Sequence, residues 1–174
     1  MKNYSQLLAL TTATLLAFSA STFAQQDTIW ISSSGTDWDN PANWSNGSPG
    51  YDGTTPANTR NAVYNDPTGL VMTTESNSRD SGDLTFNVPG WTISGTGRIA
   101  IFGTLTGVGA GTNTLMEIDF TGLTEIDLAA DNILITDRSS GGSSSNFTKN
   151  GAGTFVIGNS TSSRTAASPT LNAG

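Results

Sequence analysis

From Gln25 onward, no window of the chain repeats apolar residues at intervals of three and four, and Gly, Ser, Thr or Asn interrupts it every few residues. A chain written this way cannot bury one face of a helix, so what fits between the interruptions is short strands. Leu84-Thr85-Phe86-Asn87-Val88 alternates apolar and polar residues, Trp91-Thr92-Ile93 follows a Pro-Gly turn, and Ile99-Ala100-Ile101 continues through Phe102 to Leu105. Further strands are predicted at 115–120, 123–128, 132–135, 147–149 and 154–157, each bounded by Gly, Asn, Asp or Ser.

Strands this short and regular suit an antiparallel sandwich or barrel, or a solenoid whose strands stack coil upon coil. Three features favour the solenoid. Two-residue hairpin loops are rare, and Asn150-Gly151 runs on into Ala152-Gly153 as a longer corner. Units such as "TISGTGRIAIFG", "TLTGVGAG" and "FTKNGAGTFVIG" repeat a Thr and Gly frame around an apolar pair. Small and β-branched residues fill the corners, where backbones must pass close together. The expectation is an all-β protein with a parallel β-helix over residues 67–174.

Residues 1–24 read differently. Lys2 precedes an apolar run from Leu7 to Ala20, and Thr22 and Ala24 precede a cut before Gln25, the pattern of a signal peptide. The run is shorter than the ~20 residues of a membrane span, and no later segment approaches that length. The expected location is therefore outside the cytoplasm, at the cell surface or beyond it, with no membrane span in the mature chain. There are no cysteines, which excludes the small disulfide scaffolds common among exported proteins. With 7 basic and 14 acidic residues, the net charge is −7, and a nucleic acid is not an expected partner.

Residues 25–66 have another texture, holding Trp30, Trp38 and Trp44 among Asp, Asn, Pro and Gly with little alternation. Trp38 and Trp44 could be a platform whose indoles stack on sugar faces, with Asp37, Asp39 and Asn43 forming a carbohydrate or calcium loop. The EF-hand spacing is not met, because position 41 is proline. The favoured reading is a Trp-rich N-terminal cap, since a solenoid leaves the interior of its first coil open and something must cover it.

The run "NFTKNGAGTFVIGNS" from Asn146 to Ser160, followed by "PTLNAG" from Pro169 to Gly174, resembles the autotransporter-associated β-strand repeat, over residues 146–174. The upstream order is similar to what precedes such repeats: a signal peptide, "WDNPANWSNGSP", "AVYNDPTG" and "LTFNVPGWTISG". The resemblance implies a single-stranded right-handed parallel β-helix passenger, displayed on or released from the outer membrane of a Gram-negative cell. It supplies no catalytic residues. In place of the usual stretch before the final Asn-Ala-Gly stands "STSSRTAASPT", with Pro169 where a strand should begin. Nothing in the chain has the eight ten-residue strands of a membrane barrel, so a barrel translocator would lie outside this sequence.

The strongest candidate chemistry is "MEIDFTGLTEIDLA". Alternation points Met116, Ile118 and Phe120 inward and Glu117 and Asp119 outward, then Ile126 and Leu128 inward and Glu125 and Asp127 outward. Four carboxylates on one outer face could bind Ca²⁺, which takes six to eight oxygens, or serve as acid and base on a glycan. Against this stands a plain solvated strand face: the chain has no histidine, and no lysine or arginine follows these residues before Arg138. The serines of 138–146 have no base to activate them, and the glycines of "GTGRIAIFG" and "GVGAG" precede no helix that could form a phosphate cradle. The expected role is structural, a stalk or surface layer with adhesion to extracellular glycan or surface components, without catalysis and without a cofactor. The alternative is a polysaccharide-binding or polysaccharide-active β-helix using the outward carboxylates.

Overall fold

The computed structural model describes residues 25–50, 59–66, 71–74, 79–119, 122–123, 125–136, 139–140, 147–158 and 170–171. Residues 1–24, with the expected signal peptide, lie outside them, as do Phe120 and most of the 137–146 loop. In chain order the strands are β1 Asp27–Ile29, β2 Asn61–Tyr64, β3 Val71–Thr74, β4 Arg79–Ser81, β5 Leu84–Phe86, β6 Thr92–Ile101 and β7 Thr104–Gly107. They continue as β8 Gly111–Asp119, β9 Glu125–Leu128, β10 Asn132–Thr136, β11 Ser139–Ser140, β12 Thr148–Asn150, β13 Thr154–Ile157 and β14 Thr170–Leu171. The only helical element among the described residues is one 3₁₀ turn, Pro41–Asn43, capped by the Asn40 side chain.

The strands pair in parallel, in two sheets. The first runs β1-β2-β5-β7-β9-β12-β14, and the second β13-β10-β8-β6-β3, with β4 added to β6 and β11 to β8. In the first sheet Ala62 pairs with Leu84, Leu84 with Leu105, Leu105 with Ile126, Ile126 with Lys149, and Lys149 with Leu171, so the chain returns after 22, 21, 21, 23 and 22 residues. Parallel neighbours need a crossover. Here the crossover is the rest of the coil, and the fold is the expected parallel β-helix.

β6 and β8 each serve two runs of the second sheet. Their pairing slips between Ile93 and Arg98, which marks a corner inside both long strands. The sequence suggests one strand from Ile99 to Leu105. The structure instead breaks it at Phe102 and Gly103, where the Thr104 amide turns to donate to the Asp83 carboxylate at 2.7 Å. β2 belongs to the first sheet although it lies within residues 25–66, and its burial alternates as the strand period requires.

Inward positions form columns. Ala62, Leu84, Leu105 and Ile126 are fully buried in the first sheet, and Ile93 with Leu115 and Ile99 with Ile118 line the second. Each such Leu or Ile contributes roughly 1.5–3 kcal/mol through burial. Polar residues enter these columns where the backbone needs them. Asn113 accepts the Trp91 amide at 3.2 Å, Asn132 donates to the Gly109 carbonyl at 2.9 Å, and Thr136 donates to the Met116 carbonyl at 2.6 Å.

Stacked columns make inward and outward neighbours unequal. Leu105→Ala should lower the unfolding free energy by about 2–5 kcal/mol, while Thr106→Ala, on the outward side, should stay within about 0.5 kcal/mol. Urea titration of both variants checks this; equal losses would contradict the assigned facing.

Candidate functional site

Trp38 and Trp44 are buried, at 0% and 2% exposure, and present no ring face to a sugar. Each indole nitrogen donates to a carbonyl within its own segment: Trp30 to Ser32 at 2.8 Å, Trp38 to Gly50 at 3.3 Å and Trp44 to Trp38 at 2.8 Å. Their rings gather around Tyr64 of β2, at centroid distances of 6.4, 6.5 and 5.6 Å for Trp30, Trp38 and Trp44. Tyr64 also stacks on Phe86 of the next coil at 5.0 Å and meets Trp91 at 4.7 Å. The platform reading is therefore corrected. Aromatic contacts add ~0.5–1.5 kcal/mol each beyond burial, and this cluster draws on that packing rather than on a ligand.

The polar residues between the tryptophans are occupied in the same way. Asp37 accepts the Asp39 amide at 2.9 Å, and Asn43 donates to the Asp37 carbonyl at 2.8 Å. Asp39 is ion-paired with Arg79 of β4. Arg79 is 2% exposed and pairs in register with Ile99, so it occupies the inward column that Ile99 and Ile118 continue. Its partner comes from 40 residues upstream, which no local pattern could disclose.

The four candidate carboxylates do not share a face. Glu117 and Asp119 lie on β8 of the second sheet, and Glu125 and Asp127 on β9 of the first. Asp119 is 7% exposed rather than solvated, and it is ion-paired at 3.1 Å with Arg98, which the preceding coil brings into register with Glu117. Glu125 accepts a hydrogen bond from the Asn150 amide of the following coil. Asp127 is exposed and acts on Lys149 of that same coil. Coil stacking thus supplies the cations that the linear sequence lacks nearby. Among the described residues, no three carboxylates converge into a set able to hold a metal ion.

Lys149 carries no motif that marks it in the sequence, although the period of two places it inward. It lies two positions from Phe147, and both are buried. It stands above Ile126 in the inward column, and its ammonium donates to the Asn150 and Gly151 carbonyls at 2.6 and 2.8 Å. Burial lowers its pKa from the ordinary 10.5, and the Asp127 charge opposes that shift. Tyr64 is the other perturbed group. Its hydroxyl is buried without a hydrogen-bond partner, and burial raises its pKa well above 10.0.

No protein-family model matches the chain, and no curated protein or solved structure is similar enough to match it.

The inward ammonium should show in the pH dependence of stability. Just below pH 10.5 the unfolded chain keeps the Lys149 proton more readily than the folded chain does, so stability should rise with pH through that window. Tyr64 acts in the opposite sense above pH 10.0, losing stability as the unfolded chain ionises first. The Tyr64 contribution cancels when Lys149→Met is compared with the parent. The parent should gain stability relative to the variant as pH climbs toward 10.5, measured by urea midpoints, and a constant difference would refute the assignment.

Proposed function

We propose that the protein is an exported structural protein of the cell surface or medium, in which the β-helix is a rigid stalk or surface layer and residues 25–50 close its first coil. The observation that carries this reading is the employment of the candidate site residues within the fold. Trp38 and Trp44 pack on Tyr64, Asp119 is paired with Arg98, and Glu125 binds Asn150. Residues so engaged hold coils together.

Export rests on the composition of residues 1–24, and display rests on the resemblance of 146–174 to the autotransporter-associated repeat. In this role the protein performs no chemistry, adhesion is by its outer faces, and a barrel translocator belongs to another polypeptide segment. The closing of the first coil is supported by Arg79, an inward cation that gains its counter-charge from Asp39 of the tryptophan segment.

Two measurements test these proposals separately. Asp39→Asn should lower the unfolding free energy by about 1–3 kcal/mol, below the ~3–5 kcal/mol of a fully buried ion pair, since Asp39 is partly exposed. A neutral result would remove the Asp39–Arg79 pair from the closing of the first coil. For export, fractionated native cells probed with an antibody to the purified chain should show it in the outer membrane or medium, with Gln25 at its amino terminus. Recovery in the cytoplasm with Met1 intact would end the export proposal.

A further inference from the structure

The outward side of the second sheet carries an array that a stalk does not require. Thr92, Thr114, Ile135 and Val156 stand in one register row across β6, β8, β10 and β13. Thr112, Ile133 and Thr154 form a second row beside it. All seven are β-branched and none is charged, in a chain with 14 acidic residues. Thr112 and Thr154 are exposed, Ile133 and Val156 are 36% and 40% exposed, and Thr92, Thr114 and Ile135 are half-buried between their neighbours, so four of the seven stand open to solvent. The charged residues Arg98, Glu117 and Asp119 fall beyond the corner of the same strands.

Such a face is a rigid lattice. β-branched side chains are stiff at their first torsion, the coils repeat at ~4.8 Å, and alternate residues along a strand at ~6.6 Å. The pairings of β10 with β8 and with β13 run without a register shift. Methyls and hydroxyls are thereby held in a neutral, two-dimensional repeat.

Three classes of occupant fit poorly. An ionic partner finds no charge. A second copy of the chain would meet on the order of 200–300 Å² per side, estimated from strand spacing and rise, where stable protein interfaces need about 800 Å² per partner. A crystalline glycan is gripped through aromatic faces, and Trp30, Trp38, Trp44 and Trp91 are all buried. What matches is a partner that is itself uncharged, periodic on the ångström scale and made of hydrogen-bonding oxygens.

We propose that this face adsorbs to ice. The threonine hydroxyls hydrogen-bond a first layer of water, the methyls between them keep that layer ordered, and its lattice joins the surface of the crystal. Adsorbed protein then slows growth of the faces it covers. No step depends on export or display, so failure of the cell fractionation would leave this proposal standing.

The test uses the whole purified chain at micromolar concentration with polycrystalline ice held just below melting. Recrystallisation should be retarded and crystals grown in solution should facet. Ile133→Lys should raise the concentration required by about tenfold or more, since placing one charge against a neutral lattice costs more than the ~1.4 kcal/mol that makes a factor of ten. Thr85→Lys, half-exposed on the first sheet, should behave as the parent does, and urea midpoints confirm that both variants fold. If Ile133→Lys does not fold, Thr154→Lys at an exposed position of the same row replaces it. Ice growth indistinguishable from that in serum albumin would overturn the proposal, as would equal activity in Ile133→Lys and the parent. Retention on chitin or cellulose lost with Ile133→Lys, or a dimer abolished by it, would assign the face to a glycan or to self-association instead.

Discussion

Each coil must bring an apolar residue back to the same inward position one strand spacing beyond the last, and the column Ala62, Leu84, Leu105, Ile126 is where that condition is met. Backbone hydrogen bonds between parallel strands and the burial of the column are satisfied by the same register. Neither can move without the other, because a one-residue slip sends a whole strand's apolar set to the solvent side. The corners, ladders and ion pairs are consequences of holding that return.

The first coil poses the problem of an end. Its interior has Tyr64 and Arg79 where later coils have Phe86 and Ile99, and both depart from a plain aliphatic lining toward groups able to engage something across the opening. Tyr64 gathers three indoles, and Arg79 takes a carboxylate from the same segment. β1 extends the first sheet past β2 by pairing Thr28 with Ala62. Aromatic packing, charge and strand pairing all converge on the boundary between residues 25–50 and the solenoid.

Much of this was visible in the letters. The alternation at Leu84–Phe86, Glu125–Leu128 and Thr154–Ile157 located strands, and the Gly-rich corners favoured stacking over hairpins. Facing within a strand also followed, as Ile118, Ile126 and Leu128 are inward. What stayed hidden depends on contacts one coil away. Arg98 meets Asp119 and Asp39 meets Arg79 across 21 and 40 residues, so carboxylates that looked solvated are engaged. Likewise Glu117 and Glu125 seem to belong to one outer face, but β8 and β9 lie in different sheets. Alternation reports inside and outside, but it cannot say which outside.

The slip within β6 and β8 has a consequence for how such a chain can vary. Five positions separate Ile93 from Arg98, where only two separate their partners Leu115 and Glu117, yet pairing holds on either side. A corner can therefore absorb three residues without disturbing a column. Length changes placed there alter only the outline of the coil, whereas a single residue added within a strand turns its lining inside out. The columns act as a reading frame, and the corners are its untranslated margins: sites where a peptide could be inserted, or a loop acquired by descent, with the interior unaware of it.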